Sequence, residues 1–220
     1  MPRATRSTPT ALPILFPVPA VEATPRPTDS PWGRVDNARQ IIPGVWKVST
    51  GGHGGVHVSA DLQPLIPESH RARDGWYEED QEWSIPWTFL DLPRETYWKG
   101  DTDHARNALR HAYPDLYEAR YGVTLQPGES HAKDHRAFMT RHADDYLVTG
   151  ALSTCHNANI GKDQVGIVAE RGGQRRPDRH DTRYYLVPRS VYDQPRHPYG
   201  TLVTDEYVQT NAQFIPLEQA

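Results

Sequence analysis

The stretch Ile42-Pro43-Gly44-Val45-Trp46-Lys47-Val48-Ser49-Thr50, continued by Gly51-Gly52-His53-Gly54-Gly55 and Val56-His57-Val58-Ser59, decides the fold. Pro at i+1 and Gly at i+2 are what a type II turn demands, so Pro43-Gly44 joins a strand at residues 40–42 to one starting at Val45. Residues 45–50 read as alternating apolar and polar, the period of a half-buried strand. The glycine-rich segment 51–55 reads as a flexible hairpin tip, and residues 56–59 return from it. The unit is a small antiparallel meander.

Outward from this meander the pattern changes twice. Residues 61–75 are polar and irregular, and Trp76-Tyr77-Glu78-Glu79-Asp80-Gln81-Glu82-Trp83 follows. Residues 85–90 suit a strand or a short helix, with Pro86 arguing against a central strand. Asp101 or Thr102 can cap a helix reaching about His111. Pro114 opens a second helix over residues 115–121, which Gly122 stops. Ser130 caps a third, from His131 to about Asp144. Strand patterns return at residues 146–149, 165–169 and 183–188, the last two flanking a polar loop. Strands, then helices, then strands predict an α+β fold: an antiparallel β-sheet with about three helices inserted in the middle of the chain.

Residues 1–30 form a Pro-rich arm ahead of a single α+β domain expected over 31–220. Prolines at 2, 9, 13, 17, 19, 25 and 27 exclude a helix or central strand there. The broken apolar run around Ile14, Leu15 and Phe16 is too short for a signal-peptide core. It reads as a disordered or extended leader, or as a strap that plugs a groove.

Composition removes several classes. The chain has 220 residues, 36% of them hydrophobic, and a mean hydropathy of −0.75, which predicts a wet surface or a disordered tail. Lys and Arg number 24 against 28 Asp and Glu, so the net charge of −4 excludes a strongly basic nucleic-acid binder. One Cys excludes a disulfide scaffold and a multi-Cys zinc site. No run approaches the ~18 apolar residues of a membrane span, so no membrane partner is expected.

Several motifs in order resemble a family of unknown function encoded mainly by bacteriophages and plasmids. They are Pro31-Trp32-Gly33, the stretch from Ile42 to Thr50, His53-Gly54-Gly55, Trp76-Tyr77-Glu78-Glu79-Asp80, Tyr113-Pro114-Asp115-Leu116-Tyr117-Glu118 and Pro127-Gly128-Glu129-Ser130. Val165-Gly166-Ile167-Val168-Ala169 and Tyr184-Tyr185-Leu186-Val187-Pro188 continue the likeness, which spans about residues 31–190. The family's usual Ser before His-Gly-Gly is Gly52 here, which weakens any role for a hydroxyl at that point. The resemblance implies a mobile-element gene acting in the bacterial cytoplasm of the host. It carries no activity to transfer. The function it implies is an accessory protein that binds a host protein or defence component without catalysis. A phage structural component, strapped by its arm, is a further alternative.

The residues themselves offer a metal-dependent hydrolase or nuclease as another alternative. Its catalytic candidates are His53, Glu79 and Asp80, with Glu78 beside them. Glycines permit close backbone approach to a ligand, and His53 is the functional side chain of a tip otherwise stripped of them. His53, His57 and Glu79 together supply two imidazoles and a carboxylate, a set suited to zinc or manganese. The same region gives the candidate ligand- or partner-binding residues Gly52, His53, Gly54, Gly55, Tyr77 and Glu78. A tight turn and a solvated acidic run would read alike.

Three further groups stand out in the sequence. His131, His135 and His142 fall within about 40° of one another on a helix, with Phe138 on the same stripe. Ala132 follows His131 where a metalloprotease helix needs Glu, so histidines packed on Phe138 are the plainer account. Cys155-His156-Asn157 holds thiol-protease residue types, but neighbours on an extended chain point apart. Arg171, Arg175, Arg176, Arg179 and Arg183 form a basic loop whose Arg175 and Arg176 are candidate binding residues for a partner or nucleic acid. It lacks aromatics for base stacking, and Asp178 and Asp181 dilute its field.

Overall fold

Gly44 takes φ +80°, the left-handed value that the second central residue of a type II turn requires, and the chain reverses there as its sequence predicts. The computed structural model describes residues 21–93, 104–174 and 181–217. Its fold is α+β. Two compact units divide the chain between Lys133 and Asp134.

The first unit opens on two short paired strands, β1 (Asp29–Ser30) and β2 (Gly33–Arg34). The meander follows as β3 (Asn37–Ile42), β4 (Val45–Ser49), β5 (Gly54–Val58) and β6 (Trp76–Glu78). They make one antiparallel sheet in the order β3-β4-β5-β6. Then come α1 (Ser84–Phe89), α2 (His104–Ala112) and α3 (Pro114–Tyr121). The short segment with Pro86 is therefore a helix. Pro114 starts α3, and Gly122 ends it in the left-handed conformation at φ +62°. The proposed cap at Asp101 or Thr102 and the arm residues 1–20 lie outside the described residues.

Both faces of this sheet are covered, so the expected alternation fails in β4, where Val45 and Val48 are both buried. Register places Arg39, Lys47, Val56 and Tyr77 in one cross-strand row. On that face Val45, Val56, Val58 and Tyr77 join Leu62, Ile66, Trp83, Trp87, Leu109 and Tyr117 in the main core. Burial of each such side chain contributes about 1.5–3 kcal/mol. The next row sets Trp46, His57 and Trp76 side by side. Residues before the sheet attach here: Trp46 donates its indole N–H to Thr24 Oγ1 at 2.8 Å, and Trp32 packs edge-on to Trp76.

Helix α4 (His131–Arg141) carries the boundary between units. Ser130 Oγ accepts the Lys133 backbone N–H at 3.4 Å, the N-cap contact its sequence position predicts. The second unit continues with β7 (Tyr146–Leu152), β8 (Gln164–Arg171), β9 (Thr182–Pro188), the single turn α5 (Arg189–Tyr192) and β10 (Val208–Thr210). Its sheet is antiparallel in the order β10-β9-β8-β7. Successive side chains of β8 and β9 point to opposite faces of the sheet, and both faces are covered. Val165, Ile167, Ala169, Tyr185 and Val187 fill one side, and Leu186 meets Ile160 and Phe214 on the other. No helix among the described residues is long and apolar enough to cross a membrane.

Candidate functional site

The hairpin tip is shorter than its glycines suggest. The Thr50 hydroxyl donates to the His53 carbonyl at 2.8 Å and accepts the His53 N–H at 3.1 Å, while the Thr50 N–H also reaches that carbonyl. This side-chain clasp closes the turn at residues 50–53 and presents His53 at its exposed end. Gly54 and Gly55 consequently belong to β5 and not to the tip.

Both glycines there are required by close neighbours. A Cβ on Gly54 would lie 2.5 Å from Glu79 Oε2, and one on Gly55 would lie 2.3 Å from both the Trp32 ring and the Tyr77 carbonyl. The glycine at 54 thus lets the Glu79 carboxylate lie over the strand. Glu79 is held in register by its own N–H, which donates to the Gly54 carbonyl at 3.1 Å.

Consecutive carboxylates on a strand would diverge, but the chain leaves strand geometry after Glu78. Asp80 N–H donates back to Glu78 Oε2 at 2.7 Å, and Trp83 N–H donates to the Glu78 carbonyl at 2.9 Å. The turn gathers the acidic run. One imidazole nitrogen of His53 and one carboxylate oxygen each of Glu78 and Glu79 all lie within 4.8 Å of one another. One nitrogen and two oxygens at that spacing are a donor set a first-row divalent cation accepts, with coordination positions left for water or ligand.

Glu79 serves a second feature. With Asp80 it lines a cleft of about 350 Å3 whose other walls include Lys47, Val56, Trp83, Trp87 and His104. The His104 ring stacks on Trp83 with planes 21° apart, and Trp83 meets Trp87 edge-on. Lys47 is half-buried here. Desolvation and the neighbouring Arg39 lower its pKa, while Glu79 opposes that shift. An ammonium so placed gives the cleft a cationic floor.

The remaining candidates are placed elsewhere. His57 does not join His53 and Glu79; its ring packs 4.5 Å from Trp76 on the row described above. Burial lowers its pKa, and its Nδ1 has no hydrogen-bond partner. Tyr77 is a core residue, with its hydroxyl donating to Gln63 Oε1 and accepting the Ala72 N–H. Gly52 is exposed in the tip. Arg175 and Arg176 lie outside the described residues. Of their neighbours, Arg171 bonds Asp144 at 2.7 Å, and Arg183 lies over the Tyr146 ring at 3.9 Å.

The histidine stripe divides. His131 in the first unit bonds its backbone N–H to His111 Nδ1. In the second, His142 packs on Phe138 and bonds Asp145 at 2.7 Å, and His135 stands exposed beside Tyr199. His197, which sequence gave no reason to single out, stacks on Phe138 from a distant loop. Cys155 and His156 do not point apart, as they would on an extended chain. Residues 153–156 form a turn instead, which sets Cys155 Sγ 3.3 Å from His156 Nδ1, with Ser153 Oγ touching both. Lys47, inside the motif from Ile42 to Thr50 but with no role assigned, and His104, in no motif, were not singled out; each reaches the cleft only through tertiary packing.

The chain belongs to the family of a domain of unknown function, DUF7007, which matches residues 25–143, more than half of the sequence. That span contains the whole donor cluster, the cleft and α4. It takes in the motifs from Pro31 to Ser130, whereas those at 165–169 and 184–188 lie beyond it. No match was found among curated proteins or among solved structures.

Proposed function

We propose that the first unit is a divalent-cation-dependent hydrolase carried by a phage or plasmid. The observation that carries this reading is the convergence of His53, Glu78 and Glu79 within 4.8 Å at a cleft that shares Glu79. A zinc or manganese ion in such a donor set supplies an acidified water and neutralises negative charge. The chain's own groups do the rest. His53, Glu78 and Glu79 hold the cation, Asp80 accepts the proton of the attacking water, and Lys47 stabilises the negative charge that builds in the cleft. The water oxygen bonds to the electrophilic centre of the substrate, the bond to the leaving group breaks, and the leaving group takes the proton from Asp80.

The other reading, an accessory protein that binds a host protein or defence component in the bacterial cytoplasm, rests on the resemblance and on the lack of a complete catalytic set legible in the sequence. A role in the phage particle rests on the Pro-rich arm as a strap for a neighbour. The donor cluster beside a cleft favours hydrolysis.

The test is turnover of bis(p-nitrophenyl) phosphate and p-nitrophenyl acetate by the full chain with added Mn2+ or Zn2+. Asp80→Asn should lose on the order of 100-fold in kcat, the usual contribution of a positioned base, while still binding the cation. His53→Ala should lose both. Turnover unchanged in Asp80→Asn and His53→Ala would overturn the reading.

A further inference from the structure

Charge and shape in the cleft together select a ligand class. Glu79 and Asp80 line the cleft with Lys47; Glu78 adjoins Glu79 in the donor cluster, and Arg39 stands beside Lys47 in the sheet's cross-strand row. By formal charge these five, three acidic and two basic, leave the cleft and its border one negative charge in excess. One divalent cation reverses that sign and leaves a positive mouth with Lys47 on its floor. An anion is then attracted only in the cation's presence, and a phosphate is the group whose oxygens can serve both an ammonium and a hard cation.

Trp83, Trp87 and His104 give the cleft an aromatic lining. Trp83 is buried, and His104 lies on it at 5.3 Å between centroids with planes nearly parallel, so the exposed His104 ring is the planar surface this wall offers. Base-on-aromatic stacking is worth about 1–3 kcal/mol and tolerates any base. At about 350 Å3 the cleft stands near the lower end of the ~300–1,000 Å3 span of ligand pockets. It accommodates a single small ligand and not a length of duplex.

We propose that this cleft binds a nucleoside monophosphate, with the phosphate between the cation and Lys47 and the base on the His104 ring that Trp83 backs. The inference rests on the cation reading of the same cluster and adds the substrate class. It involves no step beyond the ester hydrolysis already written: a water oxygen bonds to phosphorus, the phosphorus–oxygen bond to the nucleoside breaks, and the nucleoside oxygen takes the proton.

Calorimetric titrations of the full chain test it, first with Mn2+ alone, then with AMP, adenosine or inorganic phosphate at saturating Mn2+, and finally with AMP in EDTA. The expected result is one Mn2+ bound, AMP bound at least 10-fold more tightly than adenosine or inorganic phosphate, and at least a 10-fold loss for AMP in EDTA. Lys47→Gln should weaken AMP by a similar factor and leave Mn2+ binding unchanged. His104→Ala, an exposed change that spares the core, should weaken AMP but not inorganic phosphate. If Mn2+ binds and AMP binds no better than inorganic phosphate, the nucleotide inference fails while the cation reading stands. If Mn2+ does not bind, the cation reading fails and takes this inference with it.

Discussion

Gly54→Ala joins the fold to the site in one methyl group. The new Cβ would stand 2.5 Å from Glu79 Oε2, 3.3 Å from Glu79 Cδ and 2.9 Å from the Val48 carbonyl. The carbonyl belongs to the strand ladder and yields little, so the carboxylate must retreat. Ordinary contact begins near 3.4 Å, which requires a displacement of about 0.9 Å. Metal–ligand distances tolerate only about ±0.2 Å, so a shift of that size takes Glu79 out of any shared coordination sphere. Misplacing a support of a metal ligand costs about 10–100-fold in affinity, and overpacking a strand costs on the order of 1–3 kcal/mol. Gly52→Ala is the control, because nothing lies within 4 Å of its Cβ. Calorimetric Mn2+ titration and urea unfolding of the three proteins read both quantities. Gly54→Ala should bind Mn2+ at least 10-fold more weakly than wild type and unfold at lower urea, with Gly52→Ala matching wild type in both. Equal Mn2+ affinity in Gly54→Ala would refute the placement of Glu79 as a ligand.

Other predictions follow from the same geometry. Tyr77→Phe leaves the part-buried Ala72 N–H and Gln63 Oε1 without their partner, and urea unfolding should show a loss of about 1 kcal/mol with Mn2+ binding unchanged. His57 in the fold titrates below its ordinary 6.5 because it is desolvated. The unfolded chain therefore binds that proton first, and stability should fall as pH drops below about 6.5 through the folded value. His57→Phe should flatten that part of a urea-midpoint profile. Glu118 is held below its ordinary 4.5 by hydrogen bonds from Lys133 Nζ at 2.5 Å and the Leu125 N–H at 2.6 Å. Its contribution is present above about pH 4.5 and lost as pH falls through the folded value, so Glu118→Gln should reduce the acid sensitivity of unfolding. Gly122→Ala forces a side chain into a left-handed C-cap and should cost about 1 kcal/mol by the same assay.

The elements with local punctuation were legible in the sequence. Pro43-Gly44, Pro114, Gly122 and Ser130 each act through their own backbone or cap, so the turn and the helix ends they define fall where the pattern puts them. Strand lengths and faces were less legible. The alternation read into residues 45–50 ignores the second layer over Trp46, His57 and Trp76, which buries Val48 as well as Val45. β6 and β10 are three residues each, too short to show a period. Within the site, His53 and the acidic run could be paired from the sequence because each stands out locally. His57 could not be separated from them: whether a strand residue joins a tip or faces away depends on where the turn closes, and the Thr50 hydroxyl decides that. Lys47 and His104 enter the cleft through sheet register and helix packing, which leave no mark in a single sequence.

The most direct measurement is the stoichiometry of divalent-cation binding to the untagged full chain, wild type beside His53→Ala and Glu79→Gln. Titrating Mn2+ and following free ion by electron paramagnetic resonance counts the bound ions without any substrate. The account predicts one ion per chain in wild type, with at least a 10-fold loss of affinity in each variant while both stay folded by circular dichroism. A wild type that leaves all Mn2+ free, or variants that bind it as well as wild type does, would contradict the assignment of His53, Glu78 and Glu79 as a cation site.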